Sequence, residues 1–245
     1  MIRRMALVAA FGGALSGAAQ AQSAGSFVAN VGWFHFAPQD SSRPLEVTRP
    51  GQAAVTVPGT GATVSNADTV GITGTYFITD NIAAEAVFGY PPRFKLYGEG
   101  GLGKLGQLGS ASEWSPTLLL KYYFGQAGSR FRPYVGAGAS YVWYGNVKLN
   151  AAMANGSFLA PGAAQGVVAV GPTSADLTSS VAPVVNAGLA YNINDRWSIS
   201  ASVSYMWLST RATLTTRLPN GAQITSQTRL KIDPIITFVS LGYRF

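Results

Sequence analysis

The stretch Arg196-Trp197-Ser198-Ile199-Ser200-Ala201-Ser202-Val203-Ser204-Tyr205-Met206-Trp207-Leu208 decides the fold. Read with a period of two, Trp197, Ile199, Ala201, Val203, Tyr205 and Trp207 share one face of a strand. Ser198, Ser200, Ser202 and Ser204 share the other, followed by Met206 and Leu208. A sandwich strand in water turns its apolar face to a core and keeps the opposite face wet. Rings at both ends of an apolar face, with serines behind it, suit a barrel wall that is oily outside and small or polar inside. A water-soluble eight-stranded barrel with those rings turned inward is the competing arrangement.

The same alternation recurs along the chain. In 181–192, Val181, Val185, Ala187, Leu189 and Tyr191 oppose Ala182, Asn186, Gly188 and Asn192. In 131–145, Val135, Ala137, Ala139, Tyr141 and Trp143 oppose Arg132, Gly136, Gly138 and Ser140. Segments 26–37, 68–79, 82–90, 113–124 and about 228–245 complete a set of eight expected strands. The connectors alternate in length. Thr79-Asp80-Asn81, Gly125 to Arg130 and Asn192 to Asp195 are short, whereas 38–66, 98–112, 146–177 and 211–227 are long. Short turns at one end and long loops at the other are the pattern of an outer-membrane barrel, with the short end toward the periplasm. An even strand number puts both termini at the short-turn end.

With the strands oriented this way, the rings fall into two belts. Phe27, Tyr122, Phe124, Phe131, Tyr191, Trp197, Tyr243 and Phe245 gather at the periplasmic rim. Trp33, Tyr90, Trp114, Tyr141, Trp143, Tyr205 and Trp207 gather at the outer rim. Aromatic girdles at both interfaces are expected of a membrane barrel. Phe245 is the expected point of engagement with the barrel-assembly machinery.

Residues 1–21 read as a secretory leader with cleavage near Ala21, leaving a barrel domain over 22–245. Arg3 and Arg4 supply the positive end, Met5 to Leu15 the short apolar core, and Ala19-Gln20-Ala21 the small-x-small site. The formal net charge is +7, and two of those charges leave with the leader. No clustered basic patch exists for nucleic acid. Cysteine is absent, which removes disulfides and thiolate metal sites. Charged residues are only 11% although the apolar share is an ordinary 47%, which is what alternation without a long apolar run produces.

Parity also sorts the interior. Glu85, Lys121, Arg132, Arg196 and Arg244 fall inward near the periplasm as a charged floor, with Glu85 expected to pair with Lys121 or Arg132. Farther out the inward positions are apolar: Phe34, Phe36, Val87, Val142, Tyr144, Met206, Leu208, Ile236 and Phe238. Eight strands leave an interior that side chains nearly fill, which excludes a wide aqueous pore. The apolar set reads either as a funnel for an oily solute or as plain packing. Pro91 and Pro92 lack N–H groups, so the ladder breaks there, either as a strand end or as an opening in the wall. The uncharged run between Lys148 and Asp176 is cut by glycines and prolines and is no membrane helix; it either covers the mouth or lies loose on the surface.

Enzyme signatures are missing. Gly98-Glu99-Gly100-Gly101-Leu102-Gly103-Lys104 fits GxxxxGK by letter, but Leu105 replaces the hydroxyl residue and no helix pattern follows. His35 is the only histidine and falls outward beside Trp33, as an interfacial anchor. No catalytic constellation, metal site or cofactor is expected.

Val28 to Pro38, Asn81-Ile82-Ala83-Ala84-Glu85 leading to Pro91-Pro92-Arg93-Phe94, Ser115-Pro116-Thr117-Leu118-Leu119-Leu120-Lys121-Tyr122-Tyr123-Phe124, Arg132-Pro133-Tyr134-Val135-Gly136-Ala137-Gly138 and Gly242-Tyr243-Arg244-Phe245 together carry a resemblance. The chain resembles the outer membrane protein W (OmpW) family, with its alkane-uptake AlkL-like relatives. The resemblance implies an eight-stranded barrel in the outer membrane of a Gram-negative bacterium, a narrow apolar channel, and uptake of small hydrophobic molecules with sideways release through the wall as one route. Its implied partners are membrane lipid, lipopolysaccharide and the solute. The sequence departs from the family at Arg93-Phe94-Lys95 and in the long 146–177 connection. A closed barrel serving as an adhesin, receptor or phage target is the alternative function; an enzyme acting on lipid is disfavoured by the lone His35.

Overall fold

A computed structural model describes residues 22–159 and 170–245. The expected leader and its cleavage site lie outside the described residues, as does the middle of the 146–177 connection. Eight antiparallel strands build the wall: β1 (Phe27–Ala37), β2 (Ala67–Phe77), β3 (Ile82–Gly89), β4 (Thr117–Tyr123), β5 (Phe131–Leu149), β6 (Ser180–Asn192), β7 (Trp197–Met206) and β8 (Ile235–Arg244). Each pairs with its chain neighbour, and β1 closes the cylinder on β8 from Val28↔Arg244 to Ala37↔Ile235. Closure leaves no edge to satisfy in lipid.

The pleat sorts side chains as the alternation dictates. Val31, Ile72, Leu118, Val185 and Val203 stand exposed on the outer face, while Asn30, Thr73, Thr75, Ser202 and Ser240 are buried inside. Glycines make room where inward rings lie flat. A Cβ on Gly71 would sit 2.6 Å from Phe34 Cε2, and one on Gly188 would sit 2.5 Å from Tyr134 Cζ.

Above the outer belt the wall continues, because the long extracellular connections are themselves folded into strands. Trp143 to Leu149 of β5 pairs with Gln107–Trp114, which pairs with Arg93–Gly100, and that strand with Thr60–Val64. A second sheet joins Thr173–Leu177, Ser209–Arg217, Gln223–Lys231, Leu45–Thr48 and Val55–Val57. Side chains sew the two sheets together: the Val64 N–H donates to Asp40 Oδ2 (2.5 Å) and the Ala62 N–H to Ser42 Oγ (2.8 Å). Here the apolar residues point inward (Leu45, Val47, Leu214, Ile224 and Leu230), so the sense of the pattern reverses at the rim.

Two expected strands are split. The 113–124 segment breaks at Ser115-Pro116, and the final segment breaks at Asp233-Pro234. Asp233 takes a left-handed φ of 36°, and its Oδ1 accepts the Leu208 N–H at 2.9 Å. The GxxxxGK letters lie on the tip of the hairpin formed by Arg93–Gly100 and Gln107–Trp114, and their last two residues fall in a single 3₁₀ turn, Gly103–Leu105. His35 faces outward, its Nδ1 2.9 Å from Asp68 Oδ1 on β2.

Candidate functional site

The interior is stratified along the barrel axis. At the periplasmic end Arg132 is fully buried; its Nη1 donates to the Gln22 carbonyl (2.9 Å) and its Nη2 to the Asp80 carbonyl (2.5 Å). Above it Phe77, Tyr123 and Tyr134 pack in tilted contact at centroid distances of 4.9 and 4.8 Å, with the Arg132 guanidinium over Phe77 and Tyr123. The next layer is ionic. Lys121 Nζ lies 2.5 Å from Glu85 Oε1 and 4.5 Å from the centre of the Tyr134 ring, and Thr75 Oγ1 donates to Glu85 Oε2 at 2.7 Å. The space left at this level is about 10 Å³, room for about one water.

The layer above is open and oily. A cavity of about 280 Å³ is lined by Phe34, Phe36, Val87, Met206, Ile236 and Phe238, with Glu85 at its base. The Phe34 and Phe238 rings stack at 3.9 Å. Its size is close to the lower end of small-molecule sites, about 300 Å³. The same cavity reaches Phe88 and Trp114, which are exposed on the outer face. The reason is local. The ladder between β3 and β4 stops at Val87↔Thr117, and Tyr90 N–H turns instead to the Val70 carbonyl (3.0 Å). Pro91 and Pro92 follow and can donate nothing, so no ladder pair joins the two strands beyond Val87↔Thr117 until the Glu113 N–H donates to the Pro92 carbonyl (3.0 Å).

Farther out, a constriction of about 20 Å³ beside Phe94, Glu113, Tyr144 and Ile232 shares the side chains of Leu96 and Leu230 with a second apolar cavity of about 80 Å³ under the extracellular sheets, lined also by Leu45, Leu108, Met153 and Leu214. Glu113 is 2% exposed, and burial pushes its carboxyl up to about 7 against the lowering effect of a hydrogen bond from Ser115. It lies one residue outside the stacked Trp114–Trp143 pair (5.9 Å) of the outer belt.

The sequence-assigned residues are thus partly brought together. Of the apolar set, Val142 is fully buried among other side chains, Leu208 lies away from these cavities beside a separate hollow with Ser41, Trp207 and Lys231, and Tyr144 belongs to the constriction. Glu85 pairs with Lys121; Arg132 has other partners. Arg196 does not belong to the floor. Asn194 Oδ1 accepts the N–H groups of Arg196 and Trp197, holding Arg196 in the exposed turn, where its Nη1 reaches the Tyr243 hydroxyl (3.4 Å). Arg244 is half-buried on the inward side of β8 at the periplasmic mouth. Sequence reasoning missed the aromatic plug and Glu113. The plug has a signal in Lys121-x-Tyr123 and Arg132-x-Tyr134, each a cation and a ring at consecutive inward positions. Among the described residues, no cluster of His, Asp or Glu is arranged to hold a metal.

A closed cylinder of eight strands, apolar outside and belted by rings at both ends, defines the class: a transmembrane β-barrel of the bacterial outer membrane. The model of the OmpW family matches residues 23–245, and the chain belongs to that family. It is 32% identical to Outer membrane protein W of Vibrio cholerae over 92% of this chain and 91% of that one. It is 26% identical to Outer membrane protein AlkL of Ectopseudomonas oleovorans, over 77% and 71% respectively. Among solved structures it resembles the outer membrane protein OprG of Pseudomonas aeruginosa, with a TM-score of 0.74 and 26% identity over 92% of this chain and 98% of that one.

Proposed function

We propose that this barrel takes up small hydrophobic molecules from outside the cell and releases them sideways into the outer membrane. The observation that carries the reading is a single cavity with two kinds of wall. It touches the inward rings of Phe34 and Phe238 and also the lipid-facing Phe88 and Trp114. An oily solute enters through the apolar column under the extracellular sheets, shielded from the polar lipopolysaccharide headgroups. It rests on the Phe34–Phe238 stack, and cannot descend, because the Glu85–Lys121 pair and the aromatic plug below leave no room. Driving it through would mean placing apolar surface against a desolvated ion pair. The break beside Pro91 and Pro92 is the remaining way out, and it opens onto lipid. Stratification supports this over a closed structural barrel, because packing alone would not leave the apolar layer hollow while the polar layer is filled.

The test is uptake of an alkane or an aromatic hydrocarbon by cells relying on this protein. Phe238→Arg places a cation in the oily layer, and uptake is expected to fall to that of cells without the protein. Unchanged uptake by a correctly assembled Phe238→Arg barrel overturns the reading.

A further inference from the structure

Two buried polar atoms in the apolar column have no partner. Glu113 Oε1 and the Tyr144 hydroxyl are both shielded from solvent and both lack a hydrogen bond. They are not far apart along the wall, since Tyr144 and Glu113 are direct cross-strand neighbours in the ladder between β5 and Gln107–Trp114. Both side chains line the constriction, and Glu113 also lines the cavity below it. Their other surroundings are apolar (Phe94, Leu96, Leu177 and Ile232) except for Thr210 beside the Tyr144 hydroxyl, whose own proton is given to the Thr178 carbonyl at 2.8 Å, so the Tyr144 proton still lacks an acceptor. Leaving such groups unsatisfied is costly, and native proteins retain them where something else fills the need.

We propose that Glu113 and Tyr144 form a headgroup subsite that recognises small amphiphiles with an apolar body and a single hydroxyl, such as alkanols and phenols. This rests on the uptake reading above and names the solute class it favours. The argument is one of complementarity. Above pH 7, where Glu113 is ionised, the Tyr144 hydroxyl donates and Glu113 Oε1 accepts. A group that bridges them must accept and donate at once, which an alcohol does. An alkane does neither, an ammonium only donates, and a carboxylate only accepts. With its hydroxyl held at the constriction, the apolar tail hangs into the cavity formed by Phe34, Met206 and Phe238.

The experiment uses the full-length protein in lipid nanodiscs and displacement of a bound nonpolar fluorescent dye by octane, 1-octanol and octylammonium, each corrected for its partition into protein-free discs. Wild type is expected to favour 1-octanol over octane by about tenfold, one hydrogen-bonded head. Tyr144→Phe and Glu113→Leu are each expected to bring that ratio close to one. Both variants replace an unpartnered polar group by an apolar one, so loss of folding is not expected. A ratio near one in wild type, or an unaltered preference in both variants, overturns the subsite while octane displacement leaves the uptake reading standing. Octylammonium matching 1-octanol overturns the hydroxyl assignment in favour of a simple ion pair. If neither octane nor 1-octanol displaces dye, the uptake reading falls and the subsite with it.

Discussion

At the scale of single residues, the interior charges carry opposite consequences. Glu85 and Lys121 are both buried and satisfy each other at 2.5 Å, with Thr75 completing the carboxylate. Glu85→Gln leaves a buried ammonium facing a neutral amide, a loss of about 3–5 kcal/mol for breaking one side of such a pair. The urea midpoint of the folded barrel is expected to drop accordingly, and the double change Glu85→Gln/Lys121→Met to recover most of the loss. A midpoint unmoved by Glu85→Gln would show the pair to be energetically idle. Glu113 behaves in the reverse sense. Its carboxyl rises from an ordinary 4.5 to about 7 because it is buried, so the folded protein binds a proton there that the unfolded chain has released. Stability from this group is fully present below pH 4.5 and is lost as pH climbs through 7, by about 3 kcal/mol in all. The polar group that bears on it is Ser115, whose hydrogen bond works against the rise, while Tyr144 stands opposite in the ladder. Unfolding midpoints measured at pH 5 and pH 8 are expected to differ in wild type by more than in Glu113→Gln; equal differences would remove Glu113 from the account.

At the scale of elements, the junction of β3, Pro91-Pro92 and β4 controls the opening. Gly89 borders it, and a Cβ there would meet nothing closer than 3.7 Å, so a larger side chain can be accommodated. Gly89→Phe is expected to occlude the break and reduce hydrocarbon uptake several-fold while the barrel keeps its heat-resistant mobility on gels. Undiminished uptake would mean that the solute leaves elsewhere. The eight wall strands were readable because lipid outside and polar filling inside give each strand two unlike faces, as in Trp197 to Ser204. The extracellular strands were not readable from the same contrast. Ser209–Arg217 sets Thr213 and Thr215 against Thr210, Leu214 and Thr216, so threonine occupies both faces, and its apolar residue points inward rather than outward. The site was half legible for a related reason. Parity shows which way Phe34, Phe238 and Lys121 point, but not that Val142 is packed away while Phe34 borders a void. Nor does it reveal that Arg196 stays in its turn, because Asn194 holds the backbone there through a local side-chain bond.

For the whole molecule, one wall is in contact with two solvents, and the border between them should be measurable. Below the outer belt the exposed residues are apolar, as at Ile72, which is 58% exposed at the centre of β2. Above it most apolar residues turn inward, and Val55 is exposed on the extracellular sheet, with Val57 beside it on the same face. The two valine- and isoleucine-sized side chains have similar exposure, yet they face different media. An arginine facing lipid near the midplane costs about 2–4 kcal/mol, whereas one facing water costs next to nothing. Ile72→Arg is therefore expected to lower the folding free energy in lipid vesicles by about that amount, and Val55→Arg to leave it within about 0.5 kcal/mol. The contrast is stronger than either result alone, because both variants add the same charge to the same chain. Equal penalties at the two positions would mean that the extracellular sheets are themselves immersed in lipid. The apolar column would then no longer run through the headgroup layer, and a solute could reach the break beside Pro92 without entering the barrel at all.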